Sequence, residues 1–202
     1  MTRTTQAERR AATRAALLDA TVESLVEDGW AATTTRSVAQ RAGVSQGAQQ
    51  YHYPTKMDLV GAALSRLMNQ LAEDSLALAE REGTQRQRAE ALLDGLWLIN
   101  TLPVSSAVLE LINHARTDSR VAELFIPILT EAVSLTHDVA TRLLPDLADT
   151  PGFDEWLLIV EAALRGTVMI SALPGTERAH PAWPALRNHL LQGLDNLKSP
   201  QQ

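Results

Sequence analysis

The chain has 202 residues, 45% of them hydrophobic, no cysteine and a formal net charge of −6. That length allows a substantial core, in one large domain or a small one plus a larger one. Without cysteine there is no disulfide framework and no thiolate chemistry. The longest strongly apolar run, Trp156 to Val160, is far too short to span a bilayer. The N-terminal MTRTTQAERR lacks the apolar segment of a signal peptide, so a cytoplasmic protein with no membrane partner is expected. The charge is uneven: residues 1–56 carry +2 and residues 57–202 carry −8. A basic head would approach a polyanion while the acidic body is repelled, which orients the encounter.

In chain order, residues 1–7 read as an arm. A first helix is predicted from about Ala7 to Asp28, with Ala11, Ala15, Leu18, Val22, Leu25 and Val26 as its apolar stripe. Gly29 should end it, and Trp30 should fold under the head. Arg3, Arg9 and Arg10 either touch phosphates or remain solvated charge. Thr33 or Thr34 caps a second helix, in which Val38, Ala39 and Ala42 share one face. Gly43 can take positive φ and stop that helix. Val44 plugs the corner, and Ser45 caps a third helix from about Gln46. Two short helices joined by a tight glycine turn are the helix-turn-helix pattern, whose second helix can enter the DNA major groove.

The third helix suits that role. Gln46, Gln49, Gln50, Tyr51 and His52 are polar-tipped, while Gly47 and Ala48 are small. Glutamine bonds adenine bidentately, and small residues let the backbone approach the bases. Arg36, Tyr51 and Lys56 can hold phosphates on either side. The competing reading of these residues is an ordinary helical hairpin with a solvated polar face.

The run Thr34-Thr35-Arg36-x-Val38-Ala39-x-x-Ala42-Gly43-Val44-Ser45-x-Gly47-Ala48, followed by Tyr51-His52-Tyr53-Pro54-Thr55-Lys56, resembles the DNA-binding domain of the TetR family of bacterial repressors. The resemblance covers about the first 60 residues. It implies an all-α protein: a three-helix head over residues 1–54 with the helix-turn-helix, and a larger helical domain over 55–202 for effector binding and dimerisation. The DNA-contacting residues are then Thr35, Arg36, Gln46, Gly47, Ala48, Gln50, Tyr51, His52 and Lys56. Two positions depart from the family pattern. Gln49 stands where an apolar residue usually faces the first helix, and Gln50 where an aromatic is common.

Thr55 to Asp58 has capping-box spacing, opening a fourth helix with Val60, Ala63, Leu64, Leu67, Met68 and Leu71 on one face. It should end near Gly83. Further helices are predicted over about 84–101, 103–116, 119–144, 154–172 and 181–197, with 145–152 as a loop. Pro127 should kink or break the one it lies in. No strand pattern is present.

The helix over 154–172 is apolar nearly all round, so it is buried on several sides. The last helix has Trp183, Leu186, Leu190, Leu191, Leu194 and Leu197 on one face. These two helices from each of two copies would form a four-helix dimer bundle, with Ala162, Gly166, Leu190 and Leu194 at the interface; a core within one subunit is the alternative. The resemblance implies the same dimer, which places two recognition helices one DNA turn (~34 Å) apart on a palindromic operator. It also implies a site for a small-molecule effector, with Trp97, Asn100, Asn113, Phe125, Trp156 and Met169 as candidate liners.

Two other classes compete. An enzyme would need a nucleophile elbow or phosphate loop, and none occurs. Glu110 and His114, one turn apart, could share a metal, as could His137 with Asp138; a surface ion pair explains either more simply, and no metal or cofactor is expected. A DNA-packaging protein would read backbone only, which the acidic body and glutamine-rich helix oppose. The expectation is a homodimeric transcriptional regulator, a repressor released from operator DNA when an effector in the body shifts the heads through the fourth helix.

Overall fold

A computed structural model of the chain describes residues 5–79 and 83–197, which form ten helices. Arg3 lies outside the described residues. No single helix among them is long and apolar enough to cross a membrane.

Helix α1 spans Gln6–Ala32. It starts with reciprocal bonds: Thr5 N–H donates to the Glu8 carboxylate at 2.6 Å, and Glu8 N–H donates to the Thr5 hydroxyl at 3.2 Å. At Gly29 the chain leaves helical geometry, with φ 74° and ψ 176°, a region open essentially to glycine alone. The break turns Trp30 inward, to 8% exposure. One more helical turn follows before Thr33, so α1 bends at the expected stop rather than ending there.

Helix α2 spans Thr35–Arg41 and α3 spans Gln46–His52. Thr34, not Thr33, is the cap of α2: its hydroxyl accepts from Ser37 N–H at 3.0 Å. Gly43 has φ 66°, and Ser45 caps α3 by accepting from Ala48 N–H at 3.2 Å. Helix α4, Lys56–Ala79, opens with Thr55 and Asp58 exchanging bonds of 2.8 and 3.1 Å. The other elements are α5 (Gln85–Thr101), α6 (Pro103–Ala115), α7 (Ser119–Leu143), α8 (Pro145–Ala148), α9 (Phe153–Ser171) and α10 (Trp183–Asn196). Short α8 lies where the sequence suggested a loop.

The chain divides into two compact units, residues 1–68 with 103–132, and residues 69–102 with 133–202. In the first, α1, α2, α3 and the start of α4 share a core of Leu17, Leu18, Ala20, Val38, Tyr53, Leu59 and Ala63. Helix α6 lies along α1. Helix α7 runs unbroken through Pro127, although proline removes a backbone bond there. Beside it, Gly61 leaves just room for Ile128, whose Cδ1 is 3.2 Å from where a Cβ would be.

In the second unit, α5, the end of α7, α8, α9 and α10 bury a leucine-rich core around Leu93, Leu144, Phe153, Trp156, Val160, Leu164 and Leu191. The Trp156 indole N–H donates to the Leu190 carbonyl at 2.8 Å, so a large buried ring loses no hydrogen bond. Glu161 is buried in α9, but it accepts from the Thr136 hydroxyl at 3.0 Å and from Arg165 at 2.8 Å.

Gly29→Ala tests the bend. The new methyl would occupy a glycine-only conformation and press on the Glu110 carboxylate, 3.2 Å from where the Cβ falls. Urea denaturation should show a loss of about 1–3 kcal/mol.

Candidate nucleic-acid interface

Helix α3 separates its residues cleanly. Gln49 and Tyr53, one turn apart, point inward and are 2% and 6% exposed. The Gln49 amide donates to the Tyr53 carbonyl at 2.5 Å. A buried amide at a position suited to an apolar residue is therefore tolerated, because it satisfies the carbonyl of its own helix end. Arg14 of α1 sits 6.0 Å over the Tyr53 ring and donates to its hydroxyl at 3.4 Å. Gln46, Gly47, Gln50 and Tyr51 face outward. Ala48 and His52 are half-buried at the edge, and the His52 ring meets Tyr51 edge-on at 5.1 Å.

Gly47 is informative because nothing among the described residues requires it. A Cβ there would meet no atom within 4 Å. Glycine in a helix costs about 0.5–1 kcal/mol relative to alanine. The missing side chain leaves backbone open to a neighbour outside the subunit, on the face that carries the two glutamines.

The cations divide differently from expectation. Thr35 is half-buried at the start of α2, and Arg36 beside it is exposed. Arg41, which the sequence did not single out, bonds Glu27 at 2.6 Å and Asp28 at 3.3 Å, with Glu23 at 3.9 Å. It ties α2 to α1. Its guanidinium is raised above its ordinary value, chiefly by the Glu27 bond.

Lys56, expected on a phosphate, is turned inward. Its ammonium donates to the Trp30 carbonyl and lies 3.8 Å from the centre of the Trp30 ring. Burial pushes it below the ordinary lysine range, against the attraction of Glu110. The physical reason is the bend in α1: carbonyls at a helix end lack intrahelical partners, and a nearby lysine supplies one.

The other candidate residues divide between the two units. Asn113 and Phe125 belong to the first unit; Trp97, Asn100, Trp156 and Met169 belong to the second. Trp156 is core, Phe125 is 3% exposed and Met169 is 47% exposed. The Asn100 amide donates to the Leu96 carbonyl at 2.9 Å, and Trp97 stacks on Trp183 at 4.7 Å. Leu190 and Leu194, placed at a partner interface by the sequence pattern, are 6% and 3% exposed inside the subunit's own core. That placement is corrected: their apolar face is already covered by α5 and α9. Ala162 and Gly166 are exposed on α9, with Leu158, Ile159, Met169 and Leu173 between 47% and 58% exposed.

Glu110, weighed as a metal ligand with His114, instead accepts the Trp30 N–H at 2.8 Å, and the His114 ring lies 6.5 Å from that of Trp30. His137 bonds Asp154 at 3.0 Å.

A capped helix-turn-helix with an outward glutamine face, followed by an all-helical body, defines a DNA-binding transcriptional regulator rather than an enzyme. The family model of bacterial regulatory proteins, tetR family, matches residues 17–63, from the middle of α1 into α4. The match places the head of this chain with that family's DNA-binding domain. It is 28% identical to a helix-turn-helix-type transcriptional regulator of Mycobacterium tuberculosis, over 94% of this chain and 98% of that one. It is 37% identical to the regulator CymR of Pseudomonas putida over 46% of this chain and 45% of that one. Its fold is similar to that of FadR from Bacillus subtilis, solved in complex with stearoyl-CoA, with TM-score 0.63, 17% identity, and coverage of 89% and 96%.

Lys56→Ala should now act mainly on the fold. Losing the ring contact should cost about 0.5–2 kcal/mol of stability, and the salt slope of DNA binding should fall by clearly less than one unit. A loss of a full unit with unchanged stability would return Lys56 to the DNA backbone.

Proposed function

We propose that this regulator is a cytoplasmic homodimeric repressor that reads a palindromic operator with the head at residues 1–54 and is released by a small-molecule effector bound in the body at 55–202. The observation that carries the DNA-reading face is Gly47, a helical glycine with open space around it between Gln46 and Gln50. The contacts assigned to bases are Gln46 and Gln50. Those assigned to backbone or close approach are Thr35, Arg36, Gly47, Ala48, Tyr51 and His52. Lys56 is assigned to shaping the head.

The same argument supports a dimer through α9. Gly166 is also helical, with no atom within 4 Å of where a Cβ would stand. It lies on the strip with Leu158, Ile159, Ala162 and Met169, spaced so that all five fall on one helix face. A partner helix crossing at Gly166 would cover that strip, which solvent otherwise meets. Leu190 and Leu194 take no part; they support α9 from behind.

For the effector, the support is the fold. FadR of Bacillus subtilis shares it and was solved with stearoyl-CoA, a resemblance that licenses a small molecule without fixing which. Helix α4 begins at the head and runs into the second unit, so a ligand that favours a displaced α4 changes the position of α3. Lowering operator affinity ~100-fold takes a coupling of roughly 3 kcal/mol, and operator must weaken effector binding by the same factor.

Gly47→Ala separates folding from reading. It should raise stability by about 0.5–1 kcal/mol while weakening binding to an operator selected from random duplexes. Gln50→Ala should cost about 1–3 kcal/mol at one base-pair position per half-site. A uniform loss at every position would demote Gln50 to a backbone contact. For the dimer, Ile159→Glu with Met169→Glu should give monomers in sedimentation with operator binding lost, because charge would be buried without a partner. A dimer unchanged by both charges would move the interface off α9.

A further inference from the structure

Of the chain's 18 lysines and arginines, only Lys56 and Lys198 are lysines, and Lys198 lies outside the described residues. The difference is chemical: an amine accepts an activated acyl group, whereas a guanidinium stays protonated and inert. Lys56 is half-buried, so a small reagent still reaches it. Its ammonium donates to the Trp30 carbonyl and lies 3.8 Å from the centre of the Trp30 ring. No carboxylate among the described residues is ion-paired with it. Glu110, the carboxylate that attracts it, is spent on the Trp30 N–H at 2.8 Å. A carbonyl accepts from an amine as readily as it accepts from an ammonium. Loss of a proton therefore leaves the bond to Trp30 in place and frees a lone pair. Burial is the largest influence on this group and favours that loss, while Glu110 pulls the other way.

We propose that Lys56 is an acyl-acceptor site, modified by small activated acyl donors of the acyl phosphate or acyl thioester class, and that its acylation weakens the hold of the head on DNA. The neutral Nζ attacks the acyl carbonyl carbon. A C–N bond forms, the C–O bond to phosphate or the C–S bond to the thiol breaks, and the leaving group departs with the electron pair. The proton lost from nitrogen goes to the leaving group or to water. The product amide keeps one N–H for the Trp30 carbonyl but carries no charge. Its attraction to the indole face and to Glu110 is gone. The added acyl group also needs space beside Trp30, which is only 8% exposed. Lys56 is the first residue of α4 and follows α3 closely, so displacing it shifts the end of the reading helix. That consequence rests on the DNA-reading assignment of α3; the acceptor site does not.

The test treats the full chain with acetyl phosphate and, separately, with acetyl-CoA. Acetylation of each lysine is followed by peptide mass spectrometry at low conversion, with Lys198 as the internal reference. Lys56 should react roughly threefold or more faster than Lys198, and unfolding in urea should erase the difference. The reagent that shows the preference identifies the donor class. No preference for Lys56 with either reagent overturns the site. Binding to an operator selected from random duplexes is then compared before and after treatment, with circular dichroism checking that each sample stays folded. Acetylated wild type should bind roughly tenfold more weakly than untreated wild type. Lys56→Arg keeps a cation for the ring and has no amine, so its affinity should be the same before and after treatment. Wild type acetylated at Lys56 with unchanged affinity overturns the control of DNA binding and leaves the reading of α3 standing. An equal loss in treated Lys56→Arg assigns the effect to another group and overturns it as well. A wild type that binds no duplex before any treatment sinks the reading of α3 instead.

Discussion

The head depends on one bend. At Gly29 the backbone of α1 takes a conformation that only glycine holds without strain, and everything next to it uses that break. The Trp30 N–H, freed from the helix, finds the Glu110 carboxylate at 2.8 Å. The Trp30 carbonyl, also freed, finds the Lys56 ammonium, which closes over the indole face. Three elements distant in sequence, the end of α1, the start of α4 and the last turns of α6, are thereby fixed at one point. A buried donor left without its acceptor costs about 1–3 kcal/mol, so the members of this junction are held together by what each would lose alone.

Around the junction, groups satisfied inside the subunit contrast with groups that are not. Gln49, Arg14, Arg41 and Lys56 all have partners within the head. Gln46, Gln50, Arg9, Arg10 and Arg36 are solvent-facing without them among the described residues. The first set sets the pose of α3 and the second sits on the surface that α3 presents. Packing repeats the contrast: Ile128 crowds Gly61 and Trp156 lies in contact range of Gly193, whereas Gly47 and Gly166 face open space.

Much of the head was legible in the sequence because its signals are local. Gly43, Ser45 and the Thr55–Asp58 pair act over three or four residues, and the structure shows them doing so. Gln49 was readable as inward only through the family pattern, which has an apolar residue facing the first helix there; by residue type it joined the polar face. What was not legible came from distance. Glu110 looked like half of a metal pair with His114, since nothing in the chain reveals a partner 80 residues away. Lys56 looked like a phosphate contact, because a cation after an aromatic run reads the same whether the fold turns it out or in. Leu190 and Leu194 misled for a related reason: burial against one's own core and burial against a second copy leave the same apolar stripe. On α10 the stripe belongs to the subunit; on α9, apolar all round, the outer half is left over. Pro127 suggested a kink or a break, and α7 continues through it without a break.

The chain's four tryptophans are divided in a way that has an optical consequence. Trp30 is the single indole of the first unit, while Trp97, Trp156 and Trp183 belong to the second. With an ammonium 3.8 Å from its ring centre, Trp30 sits in an electric field set by Lys56, so its emission should report directly on whether the junction is closed. Trp97 and Trp183 lie nearly parallel, 6° apart at 4.7 Å, close enough for their transitions to couple and give a paired ultraviolet dichroism band. The molecule therefore carries two unlabelled spectroscopic signals, one for each unit.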